Sequence, residues 1–122
     1  MKFHRVLLFT KIEMEVTPVG EDLHILLTGG DHPYLGCIAY ATPVENPENP
    51  EEPATDISII STLENPEESF CIYVADKLCK ATGKTVVCSG GIYVPNPTKK
   101  ERAKLVENVD DLIKDWVFFY AD

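Results

Sequence analysis

Between Lys11 and Thr17 apolar and polar residues alternate without exception. Ile12, Met14 and Val16 fall on one side, and Lys11, Glu13, Glu15 and Thr17 on the other. A period of two is that of a strand with one face buried and one in water. After the turn signal Pro18-Val19-Gly20-Glu21, the residues Leu23, Ile25 and Leu27 resume the same phase as far as Thr28. That pattern predicts a β-hairpin. A lone hairpin is marginal in water, so its apolar side demands further strands and a covering layer.

The rest of the chain supplies both. Residues 37–42 and 57–63 read as two more strands, and 85–94 as a fifth, interrupted by Gly90-Gly91. Pro43, Pro47, Pro50 and Pro53 punctuate an acidic segment that is expected to stay out of the sheet. Asn65-Pro66-Glu67-Glu68 has the form of a helix start: a cap, a proline in the first turn, and a carboxylate three residues on. The helix it opens would present Phe70, Cys71, Val74, Leu78 and Cys79 on one face and stop near Gly83. Thr98-Lys99-Lys100-Glu101 is a second capping pattern. It precedes an apolar stripe of Leu105, Val109, Leu112 and Trp116, flanked by Val106, Ile113, Val117 and Tyr120. The order is β-β-β-β-α-β-α. Alternating strands favour a mostly antiparallel sheet with one open face. The expected architecture is therefore a two-layer α+β domain over residues 1–122, with five strands and both helices on one face.

Composition narrows the partners. The 122 residues carry 11 Lys and Arg against 20 Asp and Glu, a net charge of −9. From Glu45 to Glu68 there are eight acids and no Lys or Arg, so that window alone accounts for −8. A nucleic-acid binder needs clustered cations to displace counterions, and an anionic membrane surface asks for the same. Both are excluded. No apolar run approaches the ~20 residues that span a bilayer. The opening MKFHRVLLFTKIEMEV lacks the small-residue cleavage site of a signal peptide, so a cytoplasmic location is expected. The four cysteines, Cys37, Cys71, Cys79 and Cys88, form no C-x-x-C pair and lie in apolar surroundings. They read as small core residues and not as metal ligands or a nucleophile.

Two segments look unlike filler: T-G-G-D-H-P-Y-L-G from Thr28 to Gly36, and S-G-G-I-Y-V-P-N-P-T from Ser89 to Thr98. Each follows a strand, contains Gly-Gly and brings a tyrosine close behind. Consecutive glycines can let backbone N–H groups converge on an anion. The second segment leads into a helix start, where free N–H groups favour negative charge, and it carries the adjacent cations Lys99 and Lys100. Tyrosines at strand ends can cover a planar ring. The same glycines also fit turns or bulges with no ligand.

At these residues the chain resembles the small prenylated-flavin chaperone family (LpdD-like). The resemblance runs from about Val16 to Trp116. It is carried by D-L-H-I-L-L-T-G-G-D-H-P-Y-L-G, the 57–63 strand, the capped helix, and G-I-Y-V-P-N-P-T before the closing helix. Thr28, Gly29, Gly30, Pro33 and Gly36, then Gly91, Ile92, Val94 and Thr98, match best. The resemblance implies a non-catalytic binder of prenylated FMN or FMN that assists cofactor loading of a decarboxylase for aromatic or unsaturated acids. Its partners would be that decarboxylase and a flavin prenyltransferase. The chain departs from the family at Tyr34 and Tyr93, where histidine is usual, and at Glu64-Asn65-Pro66, in place of a Gly-His-Lys-like triplet.

On this reading Gly29, Gly30 and Gly91 supply backbone donors, and Thr28, Pro33 and Gly36 belong to the same cofactor-binding site. Lys99 and Lys100 supply charge, and His32, Tyr34 and Tyr93 supply ring contacts. Two other readings stand beside it: a small acid–base enzyme using Asp31, His32 and Tyr34, and an interaction module docking a basic partner on the acidic Pro-rich loop. Nothing in the sequence bars a homo-oligomer.

Overall fold

The computed structural model describes residues 1–62 and 69–120. The alternating segments form the predicted hairpin, β2 (Lys11–Val19) and β3 (Asp22–Gly30), joined by a tight turn with Gly20 at φ 63°. Ile12, Met14, Val16, Leu23, Ile25 and Leu27 are all buried on one side. β2 extends through Pro18, which was expected to belong to the turn. β1 (Lys2–Val6) pairs with β2 only from Lys11 to Glu15, so Pro18 has a strand neighbour on one side only.

β4 (Cys37–Val44) and β5 (Ala54–Ser61) form a second hairpin, followed by α1 (Phe70–Thr82), β6 (Val86–Tyr93) and α2 (Lys99–Tyr120). Pro43 is paired in β4, contrary to expectation. The pairing of β4 with β6 ends at Ala41, so the missing N–H again costs no central ladder bond. Among the described residues the sheet has six strands in the order β1-β2-β3-β6-β4-β5, one more than the sequence pattern suggested. The extra strand is β1, where Phe3 and Arg5 face the helices and Lys2 and His4 the open side. The sheet is mixed: β3 and β6 are parallel, and the other four pairings are antiparallel. The parallel pair sits at the centre, where β6 inserts between the two hairpins.

Both helices cover the same face. α1 lies over β4, β5 and β6, and α2 packs on α1 and reaches β1. Ser69 caps α1, its Oγ accepting from the Cys71 N–H at 3.2 Å. The pattern Asn65-Pro66-Glu67-Glu68, expected to open this helix, lies outside the described residues. Gly83 ends the helix at φ 68°, its N–H donating to the Cys79 carbonyl. The capping box of α2 forms as read: Glu101 N–H donates to Thr98 Oγ1 at 3.0 Å, and Thr98 N–H to Glu101 Oε1 at 2.9 Å. Leu105, Val109, Leu112, Ile113 and Trp116 are buried along its inner face, and all four cysteines are buried and unbridged. Arg5 of β1 reaches Asp115 of α2 in an ion pair, and Tyr73 Oη donates to Asp110 at 2.5 Å, tying α1 to α2. No helix among the described residues is long and apolar enough to cross a membrane.

Candidate functional site

The parallel pairing of β3 with β6 brings the two glycine pairs together. Leu27 stands against Gly90, Thr28 against Gly91, Gly29 against Ile92 and Gly30 against Tyr93. β4 starts at the same end, where Gly36 N–H donates to the Gly90 carbonyl at 3.0 Å. One end of the sheet therefore gathers both segments that the sequence singled out.

The glycines are there for close packing. A Cβ on Gly30 would lie 1.9 Å from the Tyr93 carbonyl oxygen, and one on Gly90 would lie 2.1 Å from that of Leu27. Both residues also have positive φ, 87° and 112°. Gly29 has an ordinary φ, yet its Cβ would meet the Lys11 carbonyl at 2.7 Å. The pairs thus allow strands and loop to approach one another, and they do not form an empty cradle. The backbone donors next to them are already engaged: Asp31 N–H donates to the Tyr93 carbonyl at 2.9 Å.

The ring of Tyr34 fills the space beside the remaining glycines. A Cβ on Gly36 would come within 2.6 Å of this ring, and one on Gly91 within 2.9 Å. Tyr34 is half-buried between them. Burial first, then the neighbouring Cys71, Tyr93 and Cys37, push its hydroxyl pKa above the usual phenol value, so it stays neutral. Near it Cys71, in the first turn of α1, shares a hydrogen bond with Cys88 of β6. The Cys88 thiol, hydrogen-bonded to it, holds Cys71 below the usual thiol range against the opposing effect of burial, while burial pushes Cys88 well above it.

Outward of Tyr34 lie His32 and Tyr93. Their rings are 4.4 Å apart and tilted by 38°, and Tyr93 meets Tyr34 edge-on at 5.3 Å. His32 and Tyr34 are 6.2 Å apart. The three aromatic residues expected to make ring contacts thus form one cluster, with His32 and Tyr93 open to solvent. Such a group offers polarizable faces and hydroxyl or imidazole edges to a planar ligand.

The expected cations are placed differently. A hollow of about 200 Å³ beside Thr28, Gly29, Gly30 and Pro33 is lined by Lys11 and Glu13. Lys11 Nζ lies 3.0 Å from Glu13 and holds that carboxyl below its usual range. Lys100 lines a separate cleft of about 590 Å³, with Leu7, Phe9 and Thr98, between the β1–β2 turn and the start of α2. Lys99 is exposed on that same opening turn. The helix start is therefore aimed at the β1–β2 turn and not at the glycine hollow. Lys11 was missed as a site residue although the hairpin register signals it. A turn at Gly20-Glu21 pairs Val19 with Asp22, and counting back sets Lys11 beside Gly30. No sequence signal brings Cys71 near Tyr34.

Among the described residues no group of three or more His, Cys, Asp or Glu could hold a metal ion. The fold and site define a small α+β protein with an aromatic, glycine-packed sheet end. Residues 9–118 match the family described as the prenylated flavin chaperone LpdD-like domain. The match covers most of the chain, and the protein belongs to that family. No curated protein matches it.

Proposed function

We propose that this protein binds a flavin mononucleotide, prenylated or unmodified, at the glycine-ended edge of the sheet and delivers it to a decarboxylase without catalysing a reaction itself. The family supports a flavin-chaperone role. The observation that carries the reading is the solvent-open stack of His32 on Tyr93 at 4.4 Å, backed by Tyr34 and adjoining the hollow at Thr28, Gly29 and Gly30. Aromatic faces suit an isoalloxazine ring. The hollow suits a group the size of a phosphate, and Lys11 is the cation on its rim. Because Glu13 already neutralises much of that charge, the anion is held weakly, as release to a client requires. Thr28, Gly29, Gly30, Pro33, Gly36 and Gly91 shape this end, whereas Lys99 and Lys100 stand apart from it. Binding and release fit a protein that handles a cofactor it does not use.

Native mass spectrometry after co-expression with a flavin prenyltransferase tests this. The expected result is a retained adduct of flavin mass in the wild type that is lost in Tyr93→Ala and weakened in Lys11→Glu. Absence of any adduct in the wild type would overturn the reading.

A further inference from the structure

The connection between β1 and β2 has an unusual composition for a turn. Its four residues are Leu7, Leu8, Phe9 and Thr10, closed by a hydrogen bond from the Leu7 N–H to the Thr10 carbonyl at 2.7 Å. Turns are ordinarily built from Gly, Asn, Asp, Pro and Ser, which supply a special φ or a local hydrogen bond. Here three apolar side chains stand in a row, none of them at positive φ. Leu7 and Phe9 are half-buried against the core, whereas Leu8 is fully exposed and Val6, just before the turn, is 74% exposed. The turn itself needs none of these side chains, so what they contribute is an apolar surface.

That surface is one wall of the cleft of about 590 Å³, and α2 is the other. Lys100, Lys104 and Asn108 recur every four residues along α2 and so share one side of it, with Glu101 beside them. A polar wall therefore stands opposite an apolar one, across a volume within the ~300–1,000 Å³ of small-molecule sites. Two of the polar groups already serve the helix. Glu101 Oε1 accepts from the Thr98 N–H at 2.9 Å, and Asn108 Nδ2 donates to the Lys104 carbonyl at 2.7 Å. The lysines are less engaged. Lys104 reaches Glu107 at 3.6 Å with both side chains more than half exposed, a pair worth little and readily exchanged. Lys100 is exposed and makes no ion pair among the described residues.

We propose that this cleft is a second ligand site, separate from the glycine hollow, which takes a small monocarboxylate with an apolar body. The carboxylate sits on Lys100 and Lys104, and the body lies along Leu7, Leu8 and Phe9. Charge selects the class. Two lysines against Glu101 leave the lining at +1, which one carboxylate balances. A phosphate monoester, at roughly −1.5 to −2, would place surplus negative charge beside Glu101 in a chain already at −9. A cation would meet both lysines, and an uncharged apolar molecule would give Lys100 no partner. The site does not depend on the flavin reading, since none of its lining residues belongs to the glycine hollow.

The test is amide NMR of the full chain titrated with octanoate, 3-phenylpropanoate, octyl phosphate and octanol, followed by competition with flavin mononucleotide. One or both carboxylates should give saturable shifts confined to residues 6–9 and 98–108, and a preference between them tells chain from ring. Octyl phosphate and octanol should bind about tenfold more weakly or worse. Lys100→Glu and Leu8→Asp should each weaken carboxylate binding by about tenfold or more. Both side chains are exposed, so the melting temperature should not move. Carboxylate binding that is absent, that shifts other residues, or that is unchanged in both variants would overturn the proposal. Octyl phosphate binding as tightly as octanoate would overturn the monocarboxylate assignment. Displacement of octanoate by flavin mononucleotide would overturn the second site by making the cleft the flavin's own. Carboxylate binding at this cleft in a chain that retains no flavin adduct on co-expression would uphold the proposal and sink only the flavin reading.

Discussion

At one end of the sheet β3 and β6 finish in glycine pairs pressed against neighbouring backbone, whereas at the other β4 and β5 run out into a hairpin of acids and prolines. Both ends contain glycines at positive φ, but their surroundings differ. A Cβ on Gly20 or Gly83, at the hairpin end, would meet nothing within 4 Å, while one on Gly30 or Gly90 would strike a carbonyl oxygen. At Gly20 and Gly83 glycine is needed only for its φ, a cost near 1 kcal/mol. At Gly30 and Gly90 the chain cannot hold a side chain at all. The proposed flavin site would be built from backbone packed this closely, so the fold and that site would share the same atoms.

The largest effect that would break this contrast is at Gly90. Gly90→Ala combines strain at φ 112° with a clash into the Leu27 carbonyl, so a loss of at least about 4 kcal/mol is expected. Denaturant melts set against Gly20→Ala, near 1 kcal/mol, measure the difference. Equal midpoints would show that the two ends are alike. Next comes Trp116, 5% exposed beneath the β2–β3 turn. Trp116→Ala should cost about 3–5 kcal/mol, which would confine tolerance at that end to the acidic hairpin itself.

A smaller, pH-dependent effect belongs to the tie between the helices. The pKa of Tyr73 is pushed up to about 12, first by burial and then by the Asp110 carboxylate that accepts its hydrogen bond. Its folded value lies above the ordinary 10.0, so its stabilising contribution is intact below pH about 10 and lost as pH rises toward about 12. Melting temperature across that window should fall less steeply in Tyr73→Phe than in the wild type. Equal slopes would remove Tyr73 as the source. The smallest effect is expected from the hairpin. Deleting the four residues from Glu48 through Glu51 should leave the melting temperature nearly unchanged, because closure entropy varies slowly with length, by about 0.6 kcal/mol per doubling. A large drop would show that the hairpin packs.

Much of this was legible from local pattern. The alternation from Lys11 to Thr17 marks β2 and its buried face, and Thr98 with Glu101 marks the start of α2. Each rests on a period or a cap that a few neighbouring residues decide. The first strand escaped because K-F-H-R-V is short and half-polar, and it forms only against β2. The glycine segments could be picked out as unusual, and His32, Tyr34 and Tyr93 do come together. Assigning Lys99 and Lys100 to them failed, because the direction of α2 depends on Val94 to Pro97 and on packing against α1.

By itself the sequence determined the hairpin, the two amphipathic helices, the burial of the four cysteines, and the net charge of −9 with its acidic window. Those follow from side-chain periodicity and composition, which act within a few residues or over the chain as a sum. Only the tertiary structure decided that β6 inserts in parallel beside β3, that Tyr34 occupies the space over Gly36 and Gly91, and that Lys11 and not Lys100 rims the glycine hollow. Those depend on which distant strands share hydrogen bonds, a choice made by the packing of the whole sheet, on which the alternation along any one strand is silent.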